Sequence, residues 1–199
     1  MMDNKDLKLD MLEMMGENVR PSLKYCGKDV ILYPLCKIVR AERLEIDDNS
    51  RIFDFAFVDA GAGTKIGKYS FVTWHALIEG GAKAIIGDRC FIGPGAKLLT
   101  STYELNGYFA NEKLPQEVRH TEFGDIILED DAYIGANAVV MPGVKIGEGA
   151  VVGANSLVAN NCKPWGIYFG SPAKRIGWRE KPTDEKQRIV GEMDWTKHF

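Results

Sequence analysis

Three histidines, His75, His120 and His198, are the side chains here best suited to move a proton near neutral pH. An imidazole fits that task because its ordinary pKa lies near 6.5. His75 stands in the stretch WHALIEGG, with Thr73, Trp74 and Glu79 close by. His120 lies in a different kind of segment, YELNGYFANEKLPQEVRHTEF, which opens on Tyr103 and Glu104. Glu79 or Glu104 is a carboxylate able to orient an imidazole. Tyr103 is a poor base, since a phenol titrates near pH 10. Zinc held by three histidines is not expected, because His198 is penultimate and His120 sits apart from His75 in character as well as in sequence. The four cysteines show no C-x-x-C spacing.

These residues sit in a chain of 199 residues, enough for one domain with short appendages. The formal charge is −3, so no broad basic field awaits a nucleic acid, and no nucleic-acid partner is expected. Hydrophobic residues make up 45% and charged residues 27%, a globular balance. No apolar run is long enough to span a membrane, so no membrane partner is expected. The first twenty residues are charged and interrupted, unlike a secretory signal, so a cytoplasmic location is expected. There are 21 glycines, an excess that directs attention to repeats.

The element that positions everything else is a six-residue repeat. Ile46, Ile52 and Val58 step by six, as do Ile66, Val72 and Ile78, and Ile86, Ile92 and Leu98. Between these triplets the step is eight, so one turn takes twenty residues. After a gap the step of six resumes through Leu128, Ile134, Val140, Ile146, Val152 and Val158. A second register places a small residue four positions after each of these, as at Ser50, Ala56, Ala62, Ser70, Ala76, Ala82, Cys90 and Ala96. Helix is excluded, because six is not a multiple of 3.6 and β-branched residues and glycines are too dense. The pattern predicts a three-sided solenoid with one large and one small side chain per side pointing inward and coils about 4.8 Å apart. In that register Cys26, Cys36, Cys90 and Cys162 are inward residues, small buried hydrophobes.

The stretches IIGDRCFIGPGAKLLTS, DAYIGANAVVMPGVKIGEGAVVGANSLV and KPWGIYFGSPAKRI resemble the hexapeptide-repeat acyltransferases, in particular the sugar and xenobiotic acetyltransferases that include galactoside and maltose O-acetyltransferases. The resemblance runs from about Val30 to Ile176. It implies an all-β fold, a left-handed parallel β-helix with short helices at either end and one long loop extruded from the coil. The expected division is a helical segment over 1–25, the β-helix over 26–176 with the loop at 103–124, and a partly helical extension over 177–199. Leu7, Leu9, Met11, Leu12 and Met15 suit an amphipathic N-terminal helix stopped by Gly16. Thr183 suits the N-cap of a C-terminal helix ending near Met193.

The resemblance further implies acetyl-CoA as cosubstrate with no metal, and a homotrimer with its sites at subunit interfaces. Tyr133, Gly135 and Ala136 match the stretch where a backbone N–H meets the thioester, and Gly153 and Ala154 repeat it one coil on. Lys174 and Arg175 match the cations near the nucleotide phosphates. The histidine that the resembling enzymes carry before the long loop aligns with Tyr103, and an acidic variant of that position would be Glu104. His75 aligns where those enzymes carry asparagine at the acceptor pocket, so His75 is the expected base, with His120 its rival. Thr73, Trp74, Glu79 and Tyr103 are then expected around the acceptor. The expected reaction is acetyl transfer to a hydroxyl or amine of a sugar or nucleotide-linked sugar, in surface polysaccharide biosynthesis. An antibiotic acceptor and a non-catalytic scaffold are the alternatives.

Overall fold

The computed structural model describes residues 15–104, 109–111 and 113–193. They form a left-handed parallel β-helix of triangular section. Wall one stacks Tyr25–Cys26, Leu44–Ile46, Thr64–Ile66, Ala84–Ile86, Ile126–Leu128 and Lys145–Ile146. Wall two stacks Ile31–Leu32, Arg51–Ile52, Phe71–Val72, Phe91–Ile92, Tyr133–Ile134 and Val151–Val152, then Gly166–Phe169 and the antiparallel edge strand Lys174–Trp178. Wall three stacks Lys37–Val39, Phe57–Asp59, Leu77–Glu79, Lys97–Leu99, Val139–Val140 and Leu157–Val158. Every ladder between coils is parallel and in register, so Ile52, Val72, Ile92 and Ile134 align in one column. Coils are counted below from one, beginning at Tyr25.

The aliphatic register is buried as the repeat predicts, from Leu32 to Val158. The small register needs a correction at the corner between walls three and one. There Glu42 and Ala62 are exposed and Ala82 is half-buried. The inward residues are instead Leu44, Thr64, Ala84 and Ile126, each two before an aliphatic slot. Side chains of a strand return to the same face every second residue. The constant feature is therefore the position two before the slot, and the eight-residue step moves it away from the position four after the previous one.

Small corner residues close the remaining polar accounts. Ser50 Oγ donates to Gly67 O at 2.7 Å, and Ser70 Oγ donates to Gly87 O at 2.8 Å. Beside them Asp48, Asp88 and Asp130 each accept a backbone N–H from the coil below, those of Lys28, Lys68 and Asp88. That bond holds the Asp48 carboxyl below the usual carboxylate range. A Cβ at Gly27, Gly67 or Gly87 would strike these carboxylates, which accounts for glycine after the aliphatic slot. Cys36, Cys90 and Cys162 are buried and free, and burial pushes their thiols to about 11, 12 and 12 respectively.

The first coil is covered locally. A 3-10 helix, Gly16–Ser22, lays the fully buried Val19 across the first coil. The amphipathic helix expected before it falls outside the described residues. At the other end Asp184–Glu192 is helical, with the Thr183 hydroxyl accepting from Lys186 N at 3.4 Å. A cavity of about 590 Å³ lies between this helix and the corner of walls one and two, lined by Asp131, Glu148, Trp165, Arg179 and Lys186 among others.

Candidate active site

The corner between walls two and three has four positions per coil, and they stack into columns. The second position holds Pro34, Asp54, Trp74, Pro94, Ala136 and Ala154 in coils one to six. The third holds Leu35, Phe55, His75, Gly95, Asn137 and Asn155, and all but Leu35 have positive φ. Left-handed backbone at His75, φ 58°, is thus a demand of the corner, shared by its neighbours, and is no special strain. The result matters for chemistry. Trp74 and His75, Gly135 and Ala136, and Gly153 and Ala154 come to one edge of the prism, in coils three, five and six. At the usual strand spacing the His75 level and the Ala136 level are about 10 Å apart.

Two residues that sequence spacing did not single out join this edge. Phe55 stacks flat on the His75 ring, with centroids 5.0 Å apart and planes at 7°. Asn137 stands in the His75 column, and its Oδ1 leans over Gly95, the bare corner between them. Period alone could have found both, since each is a whole number of coils from His75.

The backbone of the edge divides by use. Gly135 N donates to Val152 O at 2.8 Å and Gly153 N donates to Tyr168 O at 2.8 Å, so these amides belong to the ladder. Among the described residues no acceptor is found for Ala136 N or Ala154 N. Phe169 lies close against Gly153, where a Cβ would enter its ring. Tyr133 faces outward on wall two and stacks on Phe91 at 5.3 Å and 5°. Lys174 and Arg175 begin the returning strand opposite Phe169 and Tyr168, just past the coil-six end of the edge. The Arg175 guanidinium lies 4.1 Å over the Trp178 ring.

Three expected residues sit elsewhere. Thr73, expected on the outer wall, is buried, and its hydroxyl donates to Ile92 O at 2.7 Å. A buried hydroxyl must find a carbonyl. Glu79 ends the strand that His75 precedes, and its carboxylate accepts from Ser101 Oγ at 2.6 Å and Ser101 N at 3.1 Å. Within one chain it therefore braces the root of the loop and does not reach His75. Tyr103 closes an antiparallel ribbon, Ser101–Tyr103 with Thr121–Phe123, which carries the loop out of the corner of walls three and one. At the top of that ribbon Glu104 N donates to His120 O at 3.1 Å, and His120 Nδ1 lies 3.8 Å from Glu104 Oε2. His120 and Glu104 are thus brought together, and the width of wall three separates them from His75. His198 lies outside the described residues.

None of the expected site residues lines the cavity beneath the C-terminal helix. The described residues contain no group of three or more potential metal ligands.

Residues 125–160 match the family model for the bacterial transferase hexapeptide (six repeats), and residues 83–97 match the hexapeptide repeat of succinyl-transferase. A probable macrolide acetyltransferase of Lysinibacillus sphaericus is 35% identical over 127 residues, 58% of this chain and 69% of that protein. The chain belongs to the hexapeptide-repeat acyltransferase family. Another relative, a chloramphenicol acetyltransferase of Klebsiella aerogenes, is 35% identical over 125 residues, and the match spans 59% of its length. The dTDP-4-amino-4,6-dideoxy-D-glucose acyltransferase of Escherichia coli is 28% identical over 190 residues, 94% of this hexapeptide-repeat chain and 93% of that one. Among solved structures, a variant of the N-acyltransferase AntD from Bacillus cereus, in complex with dTDP and coenzyme A, superposes with a TM-score of 0.81 at 26% identity, covering 87% of this chain and 94% of its own.

Proposed function

We propose that this hexapeptide-repeat chain transfers acetyl from acetyl-CoA to an amine or hydroxyl of a nucleotide-linked sugar. The observation that carries the reading is the single edge on which Ala136 and Ala154, with uncommitted N–H groups, share a column with Trp74 and stand above His75. The near full-length match to an acyltransferase for a nucleotide-linked amino sugar supports that acceptor class over an antibiotic, for which the relatives match over little more than half of this chain. We place such a sugar in surface polysaccharide biosynthesis, and an acetyl-CoA donor supports a cytoplasmic location.

In this mechanism Ala136 N–H donates to the thioester carbonyl oxygen. The acceptor lone pair attacks the carbonyl carbon while His75 takes the acceptor's proton. The negative charge on oxygen is held by the amide, and collapse breaks the carbon–sulfur bond. The imidazolium then returns its proton to the leaving thiolate. Among the described residues no carboxylate pairs with His75. A second copy would supply what is missing, setting its loop root, with His120 and Glu104, against the His75 edge. A homotrimer with three such clefts is the assembly we propose.

With acetyl-CoA and a panel of acceptors, release of the coenzyme A thiol is expected to be fastest with a nucleotide-linked amino sugar. Faster release with chloramphenicol would move the chain to the antibiotic reading. Neither release nor coenzyme A binding would leave a scaffold. In the same assay, replacing Lys174 and Arg175 together by Ala is expected to raise the KM for acetyl-CoA about tenfold at low salt, the loss of one charge-assisted phosphate contact. The difference should shrink in high salt. An unchanged KM would place the phosphates elsewhere.

A further inference from the structure

Below His75 the same edge changes character from small residues to rings. Tyr33 and Phe53, in coils one and two, stack at 4.7 Å and 13°. Trp74 leans on Phe53 at 4.7 Å and 59°, and Phe53 meets the edge of Phe71 at 6.1 Å. Phe55 continues the group through its stack with His75. These rings contribute nothing to the solenoid core, which the inward registers already fill. Trp74 is 46% exposed and Phe55 53%, a concentration of open aromatic surface at one end of one edge. A cation adjoins it: the Arg51 guanidinium lies 5.7 Å from the centroid of Phe71.

We infer that this cluster, with Trp74 at its centre, is a platform for the base of a nucleoside diphosphate, the handle by which the acceptor sugar is held. The inference rests on the acyltransferase reading above and adds the part of the acceptor remote from the reaction. The order along the edge supports it. Donor contacts occupy coils five and six, the base His75 occupies coil three, and the rings occupy coils one to three. A nucleotide-linked sugar is an elongated molecule with its reactive group at one end and a planar base at the other. With the sugar at His75, the base falls about one to two coil spacings, 5–10 Å, further down. Aromatic side chains hold bases by stacking whatever their hydrogen-bonding edge, and a guanidinium beside them is a natural partner for the diphosphate. Remote binding of this kind also fixes the reacting group in place.

Thymidine diphosphate is the probe, titrated calorimetrically into the parent protein, Trp74→Ala and Trp74→Phe, with coenzyme A titrated in parallel. Thymidine diphosphate is expected to bind the parent, to bind Trp74→Ala at least tenfold more weakly, and to recover most of that loss in Trp74→Phe. Coenzyme A affinity should be the same in all three. Equal thymidine diphosphate affinity in all three, or no binding to the parent, overturns the platform. If a nucleotide-linked sugar is nonetheless acylated with an unchanged KM by Trp74→Ala, the acyltransferase reading survives and only the platform falls. A change in sedimentation on Trp74→Ala, with nucleotide affinity unaltered, would assign the rings to contact with a second copy and overturn the platform equally.

Discussion

Replacing His75 by Asn is expected to lower acyl transfer by roughly 10²–10⁴-fold, the contribution of a positioned general base. Asn is the appropriate substitute because the same column carries Asn137 and Asn155 in the left-handed conformation, φ 56° and 57°. The corner therefore accepts Asn without a new backbone cost, and the change removes only the imidazole. Coenzyme A affinity and assembly should be unchanged, since the donor contacts lie two coils above. The loss should appear in kcat more than in the KM of either substrate. The competing base is His120, paired with Glu104 at the root of the loop. If His75→Asn retains activity within a few-fold of the parent while His120→Ala loses it, the base belongs to the loop and His75 is a corner residue stacked on Phe55.

Placing a glutamate at Phe91 is expected to dissociate the assembly and abolish transfer with it. The outward column of wall two runs Arg51, Phe71, Phe91 and Tyr133, whereas that of wall one runs Glu45, Lys65, Ile85, Ile127 and Lys145. Wall one also carries exposed ion pairs, Lys24 with Glu45 and Lys145 with Glu129, and so suits water. Of these two walls, wall two is the one that gains more from being covered. An unpaired charge buried there should weaken association on the order of a thousandfold. Sedimentation at micromolar concentration should show the parent as a trimer and Phe91→Glu as a monomer. An unchanged thermal unfolding midpoint of the β-helix by circular dichroism would separate lost assembly from lost fold. A parent that sediments as a monomer would remove the shared cleft altogether, and a trimeric Phe91→Glu would move the interface to another wall.

Much of this molecule is determined by sequence through a single physical fact. A six-residue period cannot be served by a helix, and a side chain returning inward every second residue makes three flat walls from aliphatic and small residues. The inward column from Leu32 to Val158, the burial of Cys36, Cys90 and Cys162 and the position of the extruded loop all follow from that count, whereas Cys26, expected inward too, is only half-buried in the first coil. Three-dimensional stacking decided the rest. The eight-residue step conceals which residue turns inward at the corner of walls three and one, because counting forward from a slot and backward to the next give different answers there. Gly135 and Ala136 are adjacent in sequence, yet only the ladder shows that one amide is already bonded and the other is not. Glu79 lies four residues from His75, a spacing that suggested partnership, but an intervening extended strand carries its carboxylate to Ser101. His75, Asn137 and Phe55 are separated by tens of residues and share one column because each coil returns the chain to the same corner. Periodicity specifies which residues stack; only the folded backbone decides which of their polar groups remain available for chemistry.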